Sequence, residues 1–204
     1  LLPTGVDALP MASSKDVDDF RNKHGIKSSD KVILYVGRLS REKNLDLLLE
    51  SFALMAKRRT DTKLMLVGDF DYRDTLEARA QELGVADLVV FPGRIKRENL
   101  GLAYGSAYAF AFPSTTDTQG LVVHEAAGAG LSLILCDEDV SEVFINGSTG
   151  LLAKPSAADF AKQLATLLDD NKLASKLGEA AKQRAGEFTE IGQMEKLEKL
   201  YEKC

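Results

Sequence analysis

Two loops in this 204-residue sequence place fixed charge at the start of a helix. In Gly37-Arg38-Leu39-Ser40-Arg41-Glu42-Lys43-Asn44 the glycine permits a tight turn or close ligand approach, and Arg38 and Lys43 supply cationic donors. Such a loop suits a diphosphate, in which case each cation is held among like charges in the empty protein. The competing expectation is that the cations are solvated and pair with Glu42. In Phe112 to Ala126 a polar loop carrying Asp117 runs into a helix beginning near Gly120, whose unpaired N–H groups and positive dipole end form an anion site. Glu125 lies about one and a half turns inside that helix, so two carboxylates flank one anion pocket. Sugar hydroxyls are good donors to such a carboxylate. Otherwise Asp117 caps the helix and Glu125 pairs with a neighbouring cation.

A third loop, Phe91-Pro92-Gly93-Arg94-Ile95-Lys96, either offers backbone groups and an apolar side chain to a nucleobase or is an ordinary strand-to-helix turn. Asp69-Phe70-Asp71 has the form of a manganese-binding pair, but with no further ligand nearby it reads as a turn and cap. His124, alone on a mostly apolar helix, reads as a packed side chain, and His24 as a helix end. No metal site is expected.

Positioning these loops requires strands that end where the loops begin. Val32 to Val36, Leu64 to Val67, Leu88 to Phe91, Tyr108 to Phe112, Leu133 to Cys136 and Gly150 to Ala153 are short apolar runs of the kind buried on both faces. Helical segments alternate with them: Leu45 to Met55 capped by Asn44, Tyr72 to Leu83 closed by Gly84, Arg97 to Tyr104, Gly120 to Ala127, Val140 to Ile145 and Ala157 to Leu168. Lys172 to Gly186 and Ile191 to Tyr201 lie beyond the alternation and are expected to pack on a partner domain. The spacing predicts an α/β fold, a Rossmann-like doubly wound parallel sheet of about six strands with helices on both faces. Ligands of such sheets bind outside the carboxyl ends of the strands, where all three loops lie.

The bulk composition narrows the function. A net charge of -5 with interspersed basic residues lacks the footprint of a nucleic-acid binder. Cys136, inside an apolar run, and Cys204, at the last position, are too few and too badly placed for a disulfide framework or metal site, which fits a reducing cytoplasm. No apolar stretch is long enough to span a bilayer. The first residues read as a strand end running into a Pro/Gly turn, so a preceding segment is expected. No Gly-x-Gly-x-x-Gly follows the first strand, which argues against a dinucleotide module.

Leu2 to Asp7, Gly37 to Asn44, Leu66 to Asp69, Phe91 to Gly93, Asp117 to Ala126 and Asn146 to Leu152 occur in an order that resembles the retaining GT-B glycosyltransferases of group 1, or family four. The resemblance implies that residues 1–14 are an interdomain linker and 15–186 the nucleotide-sugar-binding C-terminal half of a GT-B fold. It implies that 187–204 form a helix packing on an N-terminal domain. The implied reaction is hexosyl transfer from a UDP- or GDP-sugar to a glycan, lipid or small-molecule acceptor, without metal or other cofactor. The acceptor would be held by the other domain, with peripheral contact at the inner face of a membrane through that half.

On this resemblance Arg38 and Lys43 neutralise the leaving diphosphate and Glu125 holds the ribose. Gly37 allows close approach, Ile95 lines the base pocket, and Thr118, Gln119, Gly120, Leu121 and Val122 hold sugar and phosphate through backbone N–H groups. Asp117 stands where the family usually has a glutamate, one methylene longer, which leaves its catalytic role open. A nucleotide-sugar binder without turnover and an epimerase of similar architecture stay as alternatives.

Overall fold

The computed structural model describes residues 4–7, 9–117 and 119–201. Six strands form one sheet in the order β3-β2-β1-β4-β5-β6, every neighbouring pair parallel: β1 Lys31–Val36, β2 Thr62–Val67, β3 Val89–Gly93, β4 Ala109–Phe112, β5 Ser132–Leu135 and β6 Gly150–Leu152. Each lies within a residue or two of the run that predicted it. Ile33, Leu34 and Tyr35 are all fully buried. Because successive strand residues face opposite ways, both faces of β1 are covered.

The helices are α1 Ser14–Lys23, α2 Leu45–Ala56, α3 Arg73–Glu82, α4 Leu100–Ser106, α5 Leu121–Gly128, α6 Ala157–Asp169, α7 Asn171–Ala185 and α8 Glu190–Tyr201. Side chains cap four of them: Ser13 accepts from the Asp16 N–H, Ser156 from Asp159, Asp170 from Leu173 and Thr189 from Gly192. The Leu45, Leu48, Leu49 and Phe52 stripe of α2 is fully buried, and α2 packs on α3 and α6. On α6, Phe160, Leu164 and Leu167 are likewise buried.

Four expectations need correction. Asn44 does not cap α2 with its side chain: it takes a left-handed backbone (φ 56°) and its Nδ2 donates to the Pro113 carbonyl at 3.4 Å. Residues 140–145 form turns rather than a helix. Their backbone is spent elsewhere: the Val140 carbonyl accepts from Gly120, the Ile145 N–H donates to Thr149 Oγ1 at 2.7 Å, and that hydroxyl donates to the Val143 carbonyl at 2.9 Å. Arg97 opens a single 3-10 turn, Arg97–Asn99, ahead of α4. And α7 packs on α5 and β5 with Leu177 and Ala181 buried, so it belongs to the body of this domain. α8 differs: Ile191, Met194, Leu197, Leu200 and Tyr201 are exposed and Gln193 is its buried residue.

Candidate functional site

The strand order turns back between β1 and β4, which pair through Ile33 with Ala109 and Leu34 with Phe110. At such a switch point the loops leaving the two strands diverge and open a crevice. Here they are also tied together. Asn44 bonds to Pro113, Thr116 Oγ1 lies 3.5 Å from the Glu42 carbonyl, and Lys43 Nζ meets Asp117 Oδ1 at 2.7 Å. Sequence positions 74 residues apart thereby share one site.

The loop after β1 is shaped from below. The Tyr35 hydroxyl donates to the Arg38 carbonyl at 3.0 Å, and burial, then the Asp117 charge, push that phenol far above its ordinary range. A Cβ at Gly37 would lie 2.5 Å from the same hydroxyl, and one at Gly68 would run into the Gly37 carbonyl, with both glycines at positive φ. The loops after β1 and β2 can approach this closely only as glycines.

Beside them is a cavity of about 580 Å³ lined by Gly37, Arg38, Gly68, Phe70, Arg94 and Ile95 among others. Size alone does not single it out, since a hollow of about 890 Å³ lies between α2 and α6. That one sits at the amino ends of β1 and β2, away from the crevice. Of the Asp-Phe-Asp sequence, Asp69 and Phe70 line the cavity near β2. Phe70 is half exposed at positive φ (156°), and the Arg38 guanidinium lies 5.6 Å from its ring centroid. Asp69 accepts from the Phe70 N–H, as a turn residue does.

The two loop cations differ. Arg38 is 60% exposed and pairs with Glu42 at 2.8 Å, whereas Lys43 is 12% exposed and pairs with Asp117, itself 20% exposed. Each is paired with a carboxylate rather than held among like charges, and Arg38, exposed and paired with Glu42, follows the competing expectation. Asp117 Oδ2 is buried with no hydrogen-bond partner among the described residues.

On α5, Glu125 is 5% exposed and is held from two sides. Arg97 Nη1 donates to Oε1 at 2.6 Å and the buried Tyr104 hydroxyl donates to Oε2 at 2.9 Å. Burial, then the adjacent carboxylate, raise the Tyr104 phenol well above its ordinary value. The contact with Arg97 is the cation pairing held open as the alternative for Glu125, but sequence reasoning identified neither partner. They lie 28 and 21 residues before Glu125, and no local pattern links them to it.

The segment before α5 differs in part from expectation. Gly120 donates to the Val140 carbonyl at 2.8 Å and Leu121 to the Gln119 carbonyl at 3.0 Å, so these two N–H groups are already spent. Gln119 Oε1 accepts from Thr4 Oγ1 at 2.8 Å, joining the N-terminal residues to this loop. Leu121 begins the helix exposed, Val122 follows partly buried, and Thr118 lies outside the described residues. His124 is buried, edge-on to Phe188 with centroids 5.7 Å apart and 3.6 Å from Glu142. It is a packed side chain, as its surroundings in sequence suggested. No group of three or more potential metal ligands occurs among the described residues, and no helix among them is long and apolar enough to cross a membrane.

Comparison with known proteins meets this geometry. The family described as glycosyl transferases group 1 matches residues 16–184. A D-inositol 3-phosphate glycosyltransferase of Corynebacterium aurimucosum is 33% identical over 189 residues, 89% of this chain and 45% of that protein. An alpha-monoglucosyldiacylglycerol synthase of Streptococcus pneumoniae is 33% identical over 138 residues, 66% of this chain and 31% of that protein. The chain thus spans less than half the length of these curated relatives. A sucrose-phosphate synthase from Thermosynechococcus elongatus superposes with a TM-score of 0.85 at 27% identity, over 100% of this chain and 52% of that one. Anabaena HepE, solved with UDP and glucose, shares the fold at 20% identity (TM-score 0.84; 95% of this chain, 54% of that one). The C-terminal domain of a group 1 family protein from Francisella tularensis also shares it (TM-score 0.76, 20% identity), covering 89% of this chain and 97% of that one.

Proposed function

The chain belongs to the group 1 glycosyl transferases, and from that premise we propose that it is the donor-binding half of a retaining hexosyltransferase that uses a nucleoside diphosphate sugar. The observation that carries this reading is the Lys43–Asp117 contact, which joins the loops after β1 and β4 at the switch point beside a cavity lined by Gly37, Arg38 and Ile95. In it the diphosphate lies against Arg38 and Lys43, the base against Ile95, and the ribose hydroxyls donate to Glu125.

Negative charge builds on the diphosphate as the glycosidic bond breaks. Two fixed cations there stabilise the transition state more than the ground state, and the reading needs no metal. When the diphosphate arrives, Lys43 moves from Asp117 toward phosphate, and Asp117, with Oδ2 already unpartnered, is released toward the sugar. The UDP and glucose in HepE support a nucleotide-sugar donor. The inositol phosphate and glucosyl diacylglycerol in the relatives' names point to a hydroxyl acceptor on a polyol or lipid headgroup. That acceptor belongs on an N-terminal domain, against which we place the exposed apolar face of α8.

One observation favours a second reading, binding without transfer: Asp117 is a shortened carboxylate already paired with a cation. Turnover by the longer protein separates the two. For this chain the test is a thermal-shift and titration series with UDP, GDP and ADP and their sugars. One nucleotide should bind without steady transfer, and Glu125→Ala should weaken it by about 1.5–3 kcal/mol, the usual cost of a hydrogen bond to a charged group. Failure of all three nucleotides to bind, or unchanged affinity in Glu125→Ala, would remove the assignment.

A further inference from the structure

The exposures of Glu125 and its partners are unequal. Its carboxylate is 5% exposed, and the Arg97 guanidinium that meets it at 2.6 Å is 64% exposed. Tyr104 approaches from the buried side, so the group standing between Glu125 and solvent is Arg97. Arg97 is carried on a single 3-10 turn, and among the described residues its guanidinium has no other partner. A ribose that donates to Glu125 therefore has to enter where a guanidinium now lies.

We propose that Arg97 is a self-ligand of the ribose site: its N–H donors stand in for the ribose hydroxyls in the empty domain and swing into solvent when a ribonucleotide enters. This rests on the assignment of Glu125 to the ribose. The physical argument has two parts. A carboxylate this buried is costly without a partner, and a tethered cation supplies one at all times. A pair with one exposed, single-bonded member is weak, so a diol can displace it. The consequence is a fixed subtraction from the affinity of every nucleotide carrying the 2′ and 3′ hydroxyls, whatever its base. A nucleotide without them does not need Glu125 and escapes the subtraction.

The experiment is titration of the unmodified chain, Arg97→Ala and Arg97→Gln with UDP and GDP and with their 2′,3′-dideoxy counterparts. Arg97→Ala should bind the ribonucleotide tighter by roughly threefold or more, the range of an ion pair with an exposed member, and bind the dideoxy form as before. Arg97→Gln, whose amide still donates to Glu125, should fall between. Weaker ribonucleotide binding in Arg97→Ala would make Arg97 a direct nucleotide contact, and unchanged or equally tightened binding of both forms would make it a surface charge. Each result overturns the proposal while leaving Glu125 in its role. Equal binding of ribose and dideoxy forms by Arg97→Ala, where no guanidinium competes, overturns the assignment of Glu125 itself, and the proposal with it.

Discussion

Lys43 and Arg38 share one loop but have different electrostatic surroundings, and their variants should separate accordingly. Removing Lys43 leaves a part-buried Asp117 with neither oxygen satisfied. Lys43→Ala is expected to lower the unfolding free energy of the empty domain by about 1–3 kcal/mol, as orphaned buried polar groups do. Arg38 is well exposed beside Glu42, and Arg38→Ala should change stability by less than about 1 kcal/mol, as exposed pairs do. Urea titrations of the two variants without ligand check this, and equal effects would mean that the Lys43–Asp117 contact carries no weight in the empty site. In a protein of the relatives' full length, on the proposed function, both substitutions should lower turnover more than they raise the donor KM, by on the order of 10²-fold, if the charges act on the leaving diphosphate.

The turn segment of residues 140–149 reaches the start of α5 without lining the cavity. Its Val140 carbonyl holds the Gly120 N–H at the mouth of α5, and Thr149 organises the rest by accepting from Ile145 and donating to Val143. Thr149 is buried, so a valine of similar volume would fill its place but leave an N–H and a carbonyl unpaired. Thr149→Val is expected to cost about 1–3 kcal/mol and to loosen the start of α5, read as faster hydrogen exchange at Gly120. Loss of stability without faster exchange there would confine Thr149 to a local role. The same element explains why residues 140–145 do not form a helix. Their apolar spacing serves burial of Val140 and Val143, while a side-chain hydroxyl takes the bonds a helical turn would have made.

For the molecule as a whole, His124 ties stability to pH. Burial lowers its pKa from the ordinary value of 6.5, and Glu142, the carboxylate facing it at 3.6 Å, only partly opposes the shift. Below about pH 6.5 the unfolded chain binds a proton there that the folded domain resists, so the unfolded state binds more protons and stability falls as pH falls. His24, also lowered by burial, acts in the same direction. Between about pH 7.5 and 5.5 the urea midpoint should drop, and His124→Gln should flatten that dependence. An equally steep dependence in His124→Gln would assign the effect to His24 or to the carboxylates.

Much of this protein was legible in the order of its residues. Six apolar runs marked six strands because strands buried on both faces must be apolar at every position, a property of neighbours in the chain. Gly37, Asp117 and Glu125 stood out because turns and helix starts are local too. Only the tertiary structure decided which charge answers which. Arg97 and Tyr104 reach Glu125, and Lys43 reaches Asp117, because the order β3-β2-β1-β4-β5-β6 brings the loops after β1, β3 and β4 to one edge. Chain periodicity carries no information about such pairs. Coulombic and hydrogen-bond energies depend on separation in space, and strand order sets that separation.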